Sequence, residues 1–486
     1  MNKTIAVMPF IEGQLTDSLS DDTVDVINPA NGKWLLAIPA GNNADVDRAV
    51  ASARVAFDDG RWCHSAPSLR KKILHRFADL VEQEASTLDA LDAEEMGKPI
   101  SIGFSNAAAS AGTVRFYAEA LDKFSGDVFN SDHNSFVTQK RVPVGVVAAI
   151  TPWNFPTACA IGKIAPVLAA GNTLVLKPSE LSSRSAIRLA QLALEAGIPP
   201  GVFNVVPGMG DPVGKALALH QQVNLITFTG STAVGQSIMQ YAAQSNLKRV
   251  MVECGGKSPH IVFDDGVDLD TAADGIAHFL LTNQGQICIA GTRLLVQASV
   301  EEALLDKVVS RFNQAVIGDP LNPNTTFGPI VTQRQCDKVM NYIEIGHESG
   351  AELVTGGNRI LSESGGYFIE PTLFKGVHAD APIAQEEIFG PVLSTITFTD
   401  EAEAIRIANS SAYALSAYVW TTNLTTGMRM AEGLHSNAAI LSGKPTEGAG
   451  HAASSEPAGL SGFGTEGGVD GIKSYLRRKT NYFFYG

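Results

Sequence analysis

Five short apolar runs, spaced about 25 residues apart between residues 144 and 253, constrain the fold of this chain more than any other feature. They are VGVVAAI (144–150), NTLVLK (172–177), GVFNVV (201–206), VNLITF (223–228) and RVMVE (249–253). Each is too short for a helix and rich in Val, Ile or Leu, as expected of strands buried on both faces. Segments of helical character separate them, with 182–201 the clearest example. The pattern predicts an α/β fold whose core is an open, doubly wound parallel sheet.

A further helical pattern occupies residues 67–99 and ends before Gly97 and Pro99. Its apolar side is formed by Leu69, Ile73, Phe77, Leu80 and Val81. We expect one helix that packs against the sheet and takes no part in chemistry.

Composition restricts the partners of the chain. Its 486 residues include 36 basic and 50 acidic side chains, a net charge of −14, with no basic cluster. This argues against nucleic acid and anionic membrane surfaces as partners. No apolar stretch approaches the roughly 20 residues that a membrane-spanning helix needs. The amino terminus lacks a signal-peptide pattern, so the expected location is cytoplasmic.

The cysteines and histidines predict neither disulfides nor a metal site. The five cysteines are scattered along the chain, which does not indicate a disulfide framework, and we expect reduced thiols. The ten histidines form no closely spaced ligand set with one another or with cysteine. Any reactive thiol therefore has to be argued from its surroundings.

Three loops that follow predicted strands are candidates for a nucleotide site. In GMGDPVG (208–214) the glycines are spaced one residue too widely for the dinucleotide fingerprint. FTGSTAVG (228–235) is the better candidate, because Gly230 and Ser231 open a helix whose free amides can meet a phosphate. LVLKPSE (174–180) adds Lys177 and Glu180, a cation and a carboxylate suited to ribose hydroxyls. Taken singly, each loop is also compatible with a capped helix or a solvated surface pair.

Three further segments, TPWNFP (151–156), VECGGKSP (252–259) and NQGQICIAGTR (283–293), resemble in order and spacing the aldehyde dehydrogenase superfamily. The resemblance extends from INPANGK (27–33) through QEEIFGPV (385–392) to LSGFGTEGG (460–468). It implies an NAD-dependent, non-acylating enzyme that oxidises an aldehyde to a carboxylic acid. The implied intermediates are a cysteine thiohemiacetal and a thioester.

The resemblance assigns three catalytic residues. Cys288 is the implied nucleophile, and Glu253 the base that activates it through water, because a thiolate attacks and a thiol does not. Asn154 is implied to stabilise the oxyanion with its side-chain amide, together with the backbone N–H of Cys288. The same Glu253 is expected to activate the water that hydrolyses the thioester.

The cofactor positions also follow from the resemblance. It assigns Lys177 and Glu180 to the adenosine ribose, and Gly230 and Ser231 to the pyrophosphate. Glu387 is assigned to the nicotinamide ribose, which Phe389 should border. Trp153 either lines the cofactor cleft or is a partly buried aromatic residue, and Lys257 is expected to be structural.

The domain organisation is implied in the same way. The NAD-binding domain is expected at residues 1–122 and 144–255, and the catalytic domain at 256–470. An oligomerisation arm is expected at 123–143 and 471–486, where aromatic side chains suit a strand that a partner covers. Homodimers or homotetramers are therefore expected.

The carboxyl end departs from the family pattern. AAILSG (438–443) and EPAGLSGFGTEGG (456–468) lack the usual Pro-Phe-Gly-Gly segment, and Thr465 stands where Arg is usual. These elements shape the substrate mouth in the family, so specificity stays open here. His451 or another residue of the 443–468 loop could add a polar contact that no motif predicts.

The aldehyde is predicted from residues around the nucleophile. Family members that take succinic semialdehyde commonly have Arg at the positions of Gly162 and Thr282. Small residues there, with Cys159 nearby, leave room for a bulky apolar or aromatic aldehyde. A succinic-semialdehyde enzyme and a non-catalytic binding or structural member are the alternatives. A coenzyme-A-acylating enzyme is disfavoured because that branch generally lacks the base, and Glu253 is present.

Overall fold

The computed structural model describes residues 7–444 and 452–485, so His451 lies outside the described residues. All five predicted strands lie in one sheet of eight strands, here called the first sheet, where they are mutually parallel. From edge to edge its strands are Gln14–Leu15, Phe10–Ile11, Phe203–Val205, Thr173–Lys177, Val146–Ile150, Leu225–Thr229, Arg249–Glu253 and Gly462–Phe463. The predicted α/β fold is confirmed.

Helices cover both faces of the first sheet. Along Val146–Ile150, Val147 and Ala149 pack into one core, while Val146, Ala148 and Ile150 pack into the opposite one. The first core is covered by Pro67–Gln83, Ala85–Met96, Ala107–Ala120, Pro156–Ala169 and Arg184–Ala196. The second is covered by Asn43–Asp58, Lys215–Leu219 and Thr232–Gln244. Two-sided burial explains why these strands read as continuous apolar runs.

The helix predicted over residues 67–99 is two helices, Pro67–Gln83 and Ala85–Met96, which meet at Glu84. Its buried side is also offset from the predicted one. Leu69 is 48% exposed, whereas Leu74, Phe77 and Val81 are buried. The single-helix expectation was wrong because the apolar residues that carried it, from Leu69 to Val81, all lie in the first of the two helices.

A second sheet has seven strands, which lie between residues 259 and 441 and follow most of the first sheet in sequence. Its order is Glu352–Thr355, Thr372–Lys375, Val392–Phe398, Arg293–Gln297, Pro259–Val262, Ser416–Trp420 and Asn437–Leu441. All neighbouring pairs are parallel except the first. The helices of this part are Leu269–Leu281, Glu301–Phe312, Gln333–Glu348, Pro382–Gln385, Glu401–Ala408 and Leu424–Gly433, whereas Gly468–Ser474 packs on the first core through Ile472.

Short antiparallel elements complete the fold. The strands Asp127–Phe129, Ser135–Pro143 and Leu476–Phe484 form a three-stranded sheet, here called the arm sheet. Thr23–Asn28 pairs with Lys33–Pro39, and short two-residue strands form Arg359–Ile360 with Phe368–Ile369, Tyr413–Ala414 with Ala458–Gly459, and Ser454–Ser455 with Glu466–Gly467. Within residues 7–444 and 452–485, no helix combines the length and apolar character needed to cross a membrane.

Candidate active site

Four loops meet at the carboxyl end of the first sheet. They follow the strands that end at Ile150, Lys177, Thr229 and Glu253. With those strand ends they contain most of the residues selected by motif, whereas Cys288, Glu387 and Phe389 come from other segments. Because parallel strands all point the same way, their carboxyl ends lie along one edge of the sheet, where ligands of such sheets bind. The candidate catalytic and cofactor residues therefore share one side of the molecule.

The segment around Cys288, residues 282–290, is here called the nucleophile loop. The Asn154 side-chain amide donates to the carbonyl of Gln286 over 2.9 Å, and the Asn283 amide donates to the carbonyl of Asn154 over 2.9 Å. Gly285 has a φ of +69°, and a Cβ there would lie 2.4 Å from the carbonyl oxygen of Gly390. Only glycine fits such a close approach. The loop is held against the segment that contains Asn154.

The surroundings of Cys288 disfavour its thiolate form. Burial raises the pKa of the Cys288 thiol. The negative charges of the Glu253 carboxylate and of the Cys159 thiolate raise it further. Burial also raises the pKa of Glu253 to about 8, since its negative form is poorly solvated there. A carboxyl with this pKa can exchange a proton near neutral pH, as a general base must.

Two residues that the motifs did not select adjoin Glu253. Lys163 lies on Pro156–Ala169, is buried, and forms an ion pair with Glu466. The charge of Glu466 raises the pKa of Glu253, whereas that of Lys163 lowers it. A signal for this pair was present in the sequence, because a lysine within an apolar helix has to find a buried partner.

The strand Gly462–Phe463 explains how Glu466 comes close to Glu253. Gly462–Phe463 pairs antiparallel with the outer edge of Arg249–Glu253, opposing Gly462 to Glu253. The backbone N–H of Cys254 donates to the carbonyl of Ser461 over 2.8 Å. The loop that departs from the family pattern therefore closes the first sheet beside the candidate base.

The dinucleotide candidates form an open polar surface. Ser231 precedes Thr232–Gln244 and makes no capping hydrogen bond with its exposed side chain, so that it leaves the first-turn amides open to a ligand. The Lys177 ammonium and the Glu180 carboxylate lie 3.7 Å apart, at the carboxyl end of the strand Thr173–Lys177. Burial lowers the pKa of Lys177, and the Glu180 charge opposes that shift. A helix amino terminus and a polar pair fit the phosphates and a ribose of a dinucleotide.

The other end of the candidate cofactor cleft is formed by residues of two segments. One Glu387 carboxylate oxygen accepts from the N–H of Gly256 over 3.0 Å. A Cβ at Gly255 would lie 2.2 Å from that carboxylate, so a larger residue there would displace the Glu387 side chain. Trp153 and Phe389 meet edge to face, with ring centroids 5.5 Å apart. Trp153 is therefore a partly buried aromatic residue beside the cleft.

The predicted substrate-pocket residues have different surroundings. Cys159 packs with Phe155 and with Ile287 and Ile289, the residues on either side of Cys288 in the nucleophile loop. A Cβ at Gly162 would meet no atom within 4 Å, which indicates open space there. Thr282 is buried at the start of the nucleophile loop. Small side chains thus leave room beside Phe155.

Aromatic residues that the motifs did not select continue outward from Phe155. The Phe104 ring meets Phe155 edge to face at 5.7 Å, and meets His278 at 6.2 Å. Loss of hydration lowers the pKa of His278, and the nearby positive charge of Lys444 lowers it further. The aromatic residues beyond Phe155 therefore end near the positive charge of Lys444, and the lowered pKa of His278 disfavours its charged form.

Known proteins match nearly the whole length of this chain. A model described as the aldehyde dehydrogenase family matches residues 16–481. An aldehyde dehydrogenase of Enchytraeus buchholzi is 41% identical over 478 residues, covering 97% of this chain and 95% of the relative. The NADP/NAD-dependent aldehyde dehydrogenase PuuC of Escherichia coli is 42% identical over 433 residues, covering 89% and 87%. A solved indole-3-acetaldehyde dehydrogenase in complex with NAD+ is 45% identical with a TM-score of 0.96, covering 99% of this chain and 97% of that chain.

Proposed function

The chain belongs to the aldehyde dehydrogenase family, and on this premise we propose that it oxidises an aldehyde to a carboxylic acid with NAD, using Cys288 as nucleophile. The observation that carries the proposal is the meeting of three groups from separate segments. The charge of Glu253 acts on the Cys288 thiol, and the Asn154 amide bonds to the nucleophile loop two residues before Cys288.

In the proposed reaction Glu253 takes the thiol proton through water, and the Cys288 sulfur attacks the aldehyde carbon. The negative oxygen that forms is stabilised by the Cys288 N–H and by the second proton of the Asn154 amide, since its first is donated to Gln286. When bound, NAD supplies the hydride acceptor that the oxidation requires. Cys288 then holds the acyl group as a thioester, and Glu253 activates water to release the acid.

The described residues fit this cofactor. The uncapped amino terminus of Thr232–Gln244 suits the pyrophosphate, and Lys177 with Glu180 suits the adenosine ribose. Glu387 retains one carboxylate oxygen that makes no hydrogen bond in the described part of the chain, and we assign it to the nicotinamide ribose, with Phe389 at its border. In this proposal the first sheet binds the cofactor, and the second supports the segments that contain Cys288 and Glu387.

Substitution of the nucleophile tests the reaction. Cys288→Ala should abolish NADH formation from any aldehyde yet retain NAD binding, because the sulfur is separate from the proposed ribose contacts. Cys63→Ala is the matched control, since Cys63 is also a free cysteine but packs beside Phe57. NADH absorbance gives the rate, and calorimetric titration gives NAD affinity. Residual activity above a tenth of wild type would remove Cys288 from the proposed role.

For the substrate, we propose an aromatic or longer-chain aldehyde. The open space at Gly162 and the small Cys159 side chain leave room beside Phe155, and the rings of Phe104 and His278 continue the apolar path. Apolar walls with few polar groups favour a large apolar ligand. The solved relative that acts on indole-3-acetaldehyde is consistent with such a substrate.

A second candidate substrate is an aldehyde with a distal carboxylate, as in succinic semialdehyde. The positive charge of Lys444 favours it, because a carboxylate there would meet an ammonium group, whereas the lowered pKa of His278 disfavours the charged form of that ring. Purified enzyme should be offered benzaldehyde-type, medium-chain and succinic semialdehyde substrates at matched concentrations. The aromatic proposal requires the first two to give the higher kcat/KM, and a tenfold advantage for succinic semialdehyde would establish the second candidate.

We also propose that the arm sheet joins copies of this chain into homodimers or homotetramers. Val128, Tyr482 and Phe484 are 70%, 65% and 80% exposed, an unusual exposure for large apolar groups. Across its two longer strands Arg141 opposes Arg478, and neither has a carboxylate within salt-bridge distance in the described part of the chain. Like charges in direct opposition destabilise a sheet. A second copy would bury the rings and supply acidic neighbours.

A further inference from the structure

Lys257 is a buried lysine whose side chain the proposed reaction does not use. It is 2% exposed, and its Nζ makes no hydrogen bond. The next residue, Ser258, is also buried, and its hydroxyl has no partner in the described part of the chain. Two adjacent buried polar groups without partners are costly unless something else bonds to them.

A second buried cation lies beside Lys257. Arg293 is 1% exposed, and its guanidinium donates to the carbonyl oxygens of Lys257, Ile407 and Ala408 over 2.8, 3.2 and 2.8 Å. Those carbonyls satisfy hydrogen bonds but carry no formal negative charge. Neither Lys257 nor Arg293 has a carboxylate within 4 Å among residues 7–444 and 452–485. Glu387 and Glu386 act on Lys257 from beyond that distance, so the chain described neutralises the two positive charges only in part.

Lys257, Ser258 and Arg293 line a small cleft. Asn409, Tyr413 and His435 complete its polar wall, and no Asp or Glu is among the lining residues. The lining thus combines an ammonium, a guanidinium and hydroxyl groups, which are donors to an anion. The space that remains suits a particle of about one water molecule in size, too small for a phosphate or an organic acid.

We propose that this cleft binds a small monovalent anion, represented by chloride, between the Lys257 ammonium and the Ser258 hydroxyl. The anion neutralises the buried positive charge and bonds to the two unpartnered groups. The cleft is lined by Lys257 and Ser258 of the segment 254–258, which directly follows Glu253. The Gly256 N–H of the same segment donates to Glu387. The bound ion therefore stabilises this segment and takes no part in the reaction at Cys288.

The alternative occupant of the cleft is a water molecule beside a neutral Lys257. Burial, and then the charge of Arg293, lower the pKa of Lys257 to about 7. A negative ion requires the protonated form, whereas water does not. Anion binding should therefore strengthen as the pH falls below that value and weaken above it, because Lys257 then loses its charge.

Thermal unfolding of the full-length protein in sodium chloride and in sodium gluconate, at equal ionic strength and below that pKa, tests the proposal. Gluconate is too large for the cleft. We expect chloride to raise the Tm by about 1–2 °C in the wild type and to have no such effect in Lys257→Met. The matched control is Lys72→Met, an exposed lysine that should keep the wild-type response. A chloride effect that persists in Lys257→Met, or that is absent from the wild type, would overturn the proposal.

A second measurement decides the matter where Lys257→Met does not fold. Crystals of the wild-type protein soaked in sodium bromide should show an anomalous peak in the cleft, within hydrogen-bond distance of Lys257 Nζ. Absence of that peak would assign the cleft to water. A peak in the crystal without any halide dependence of the Tm would mean binding at crystal concentration only, and would also overturn the proposal.

Discussion

At the residue scale, the pKa of the Glu253 carboxyl depends on its burial and on two charged neighbours, Glu466 and Lys163. Burial raises its pKa to about 8, Glu466 raises it, and Lys163 opposes both. Only the deprotonated carboxyl can accept a proton, so the rate should rise with pH through about 8. Glu466→Gln removes the negative neighbour while Lys163 stays positive. The rising limb of the pH–rate profile should therefore move to lower pH by on the order of one unit.

The measurement is kcat against pH at saturating substrate and NAD. Asp470→Asn is a suitable control, because it also removes a carboxylate from this part of the chain, but one that pairs with Lys473 at the surface. Coincident profiles for Glu466→Gln and the wild type would show that Glu466 does not act on the base.

Glu180 should determine the choice between NAD and NADP. Its carboxylate can accept from a ribose 2′-hydroxyl but repels a 2′-phosphate, and Lys177 at 3.7 Å softens the repulsion. We expect a kcat/KM that favours NAD, with some use of NADP. Glu180→Gln should raise the NADP/NAD ratio by about tenfold. Initial rates with both cofactors check this, with Glu195→Gln as a surface control; a wild-type preference for NADP would contradict the role of Glu180.

At the scale of elements, Asp92 connects two helices of the first core. It lies on Ala85–Met96, and its Oδ2 accepts from the backbone N–H of Thr157 over 3.1 Å, in the first turn of Pro156–Ala169. Asp92→Ala leaves that buried N–H without a partner and should destabilise the fold by about 1–3 kcal/mol. Asp92→Asn keeps an acceptor and should cost less.

The same pair predicts a pH dependence. Burial raises the pKa of Asp92 from 3.8 to about 6. The stability that its proton contributes is present below the ordinary pKa and is lost as the pH rises through about 6. Asp92→Asn should therefore gain in Tm relative to the wild type across this window. Thermal unfolding of both proteins at several pH values measures it, and a constant difference would contradict the buried, shifted carboxyl.

Elements built from local patterns were predictable, and contacts between distant segments were not. The run RVMVE (249–253) was predictable as a strand because it is short and its valines favour that state, and one of its two neighbours in the sheet, Leu225–Thr229, is close in sequence. The break at Glu84 was missed because neither glycine nor proline marks it in the sequence. The ion pair of Lys163 with Glu466 joins positions 303 residues apart, and no local pattern reports such a distance. Motifs selected Cys288, Glu253 and Asn154, whose roles stay predictions until the variants are measured.

At the scale of the whole molecule, the arm sheet should set the oligomeric state. Replacing its two most exposed rings through Tyr482→Ser with Phe484→Ser removes much of the apolar surface that a second copy would cover. We expect light scattering coupled to gel filtration to show an oligomer for the wild type and a single chain for the double variant. Trp34→Ser is the control, because Trp34 is 62% exposed but lies on the hairpin Thr23–Asn28 with Lys33–Pro39. An unchanged mass for the double variant would exclude the arm as the interface.

The edge strand Gly462–Phe463 has a consequence for synthesis on the ribosome. Most of the first sheet comes from residues translated before position 254, yet its last strand and the counter-charge of Lys163 come about two hundred residues later. Because chains emerge from the amino terminus first, a nascent protein ending at Lys444 contains Cys288 and Glu253 but lacks the strand beside them. Such an arrested chain should show no aldehyde turnover. We therefore expect Cys288 to stay inactive until residues 462–466 have been translated and have joined the first sheet.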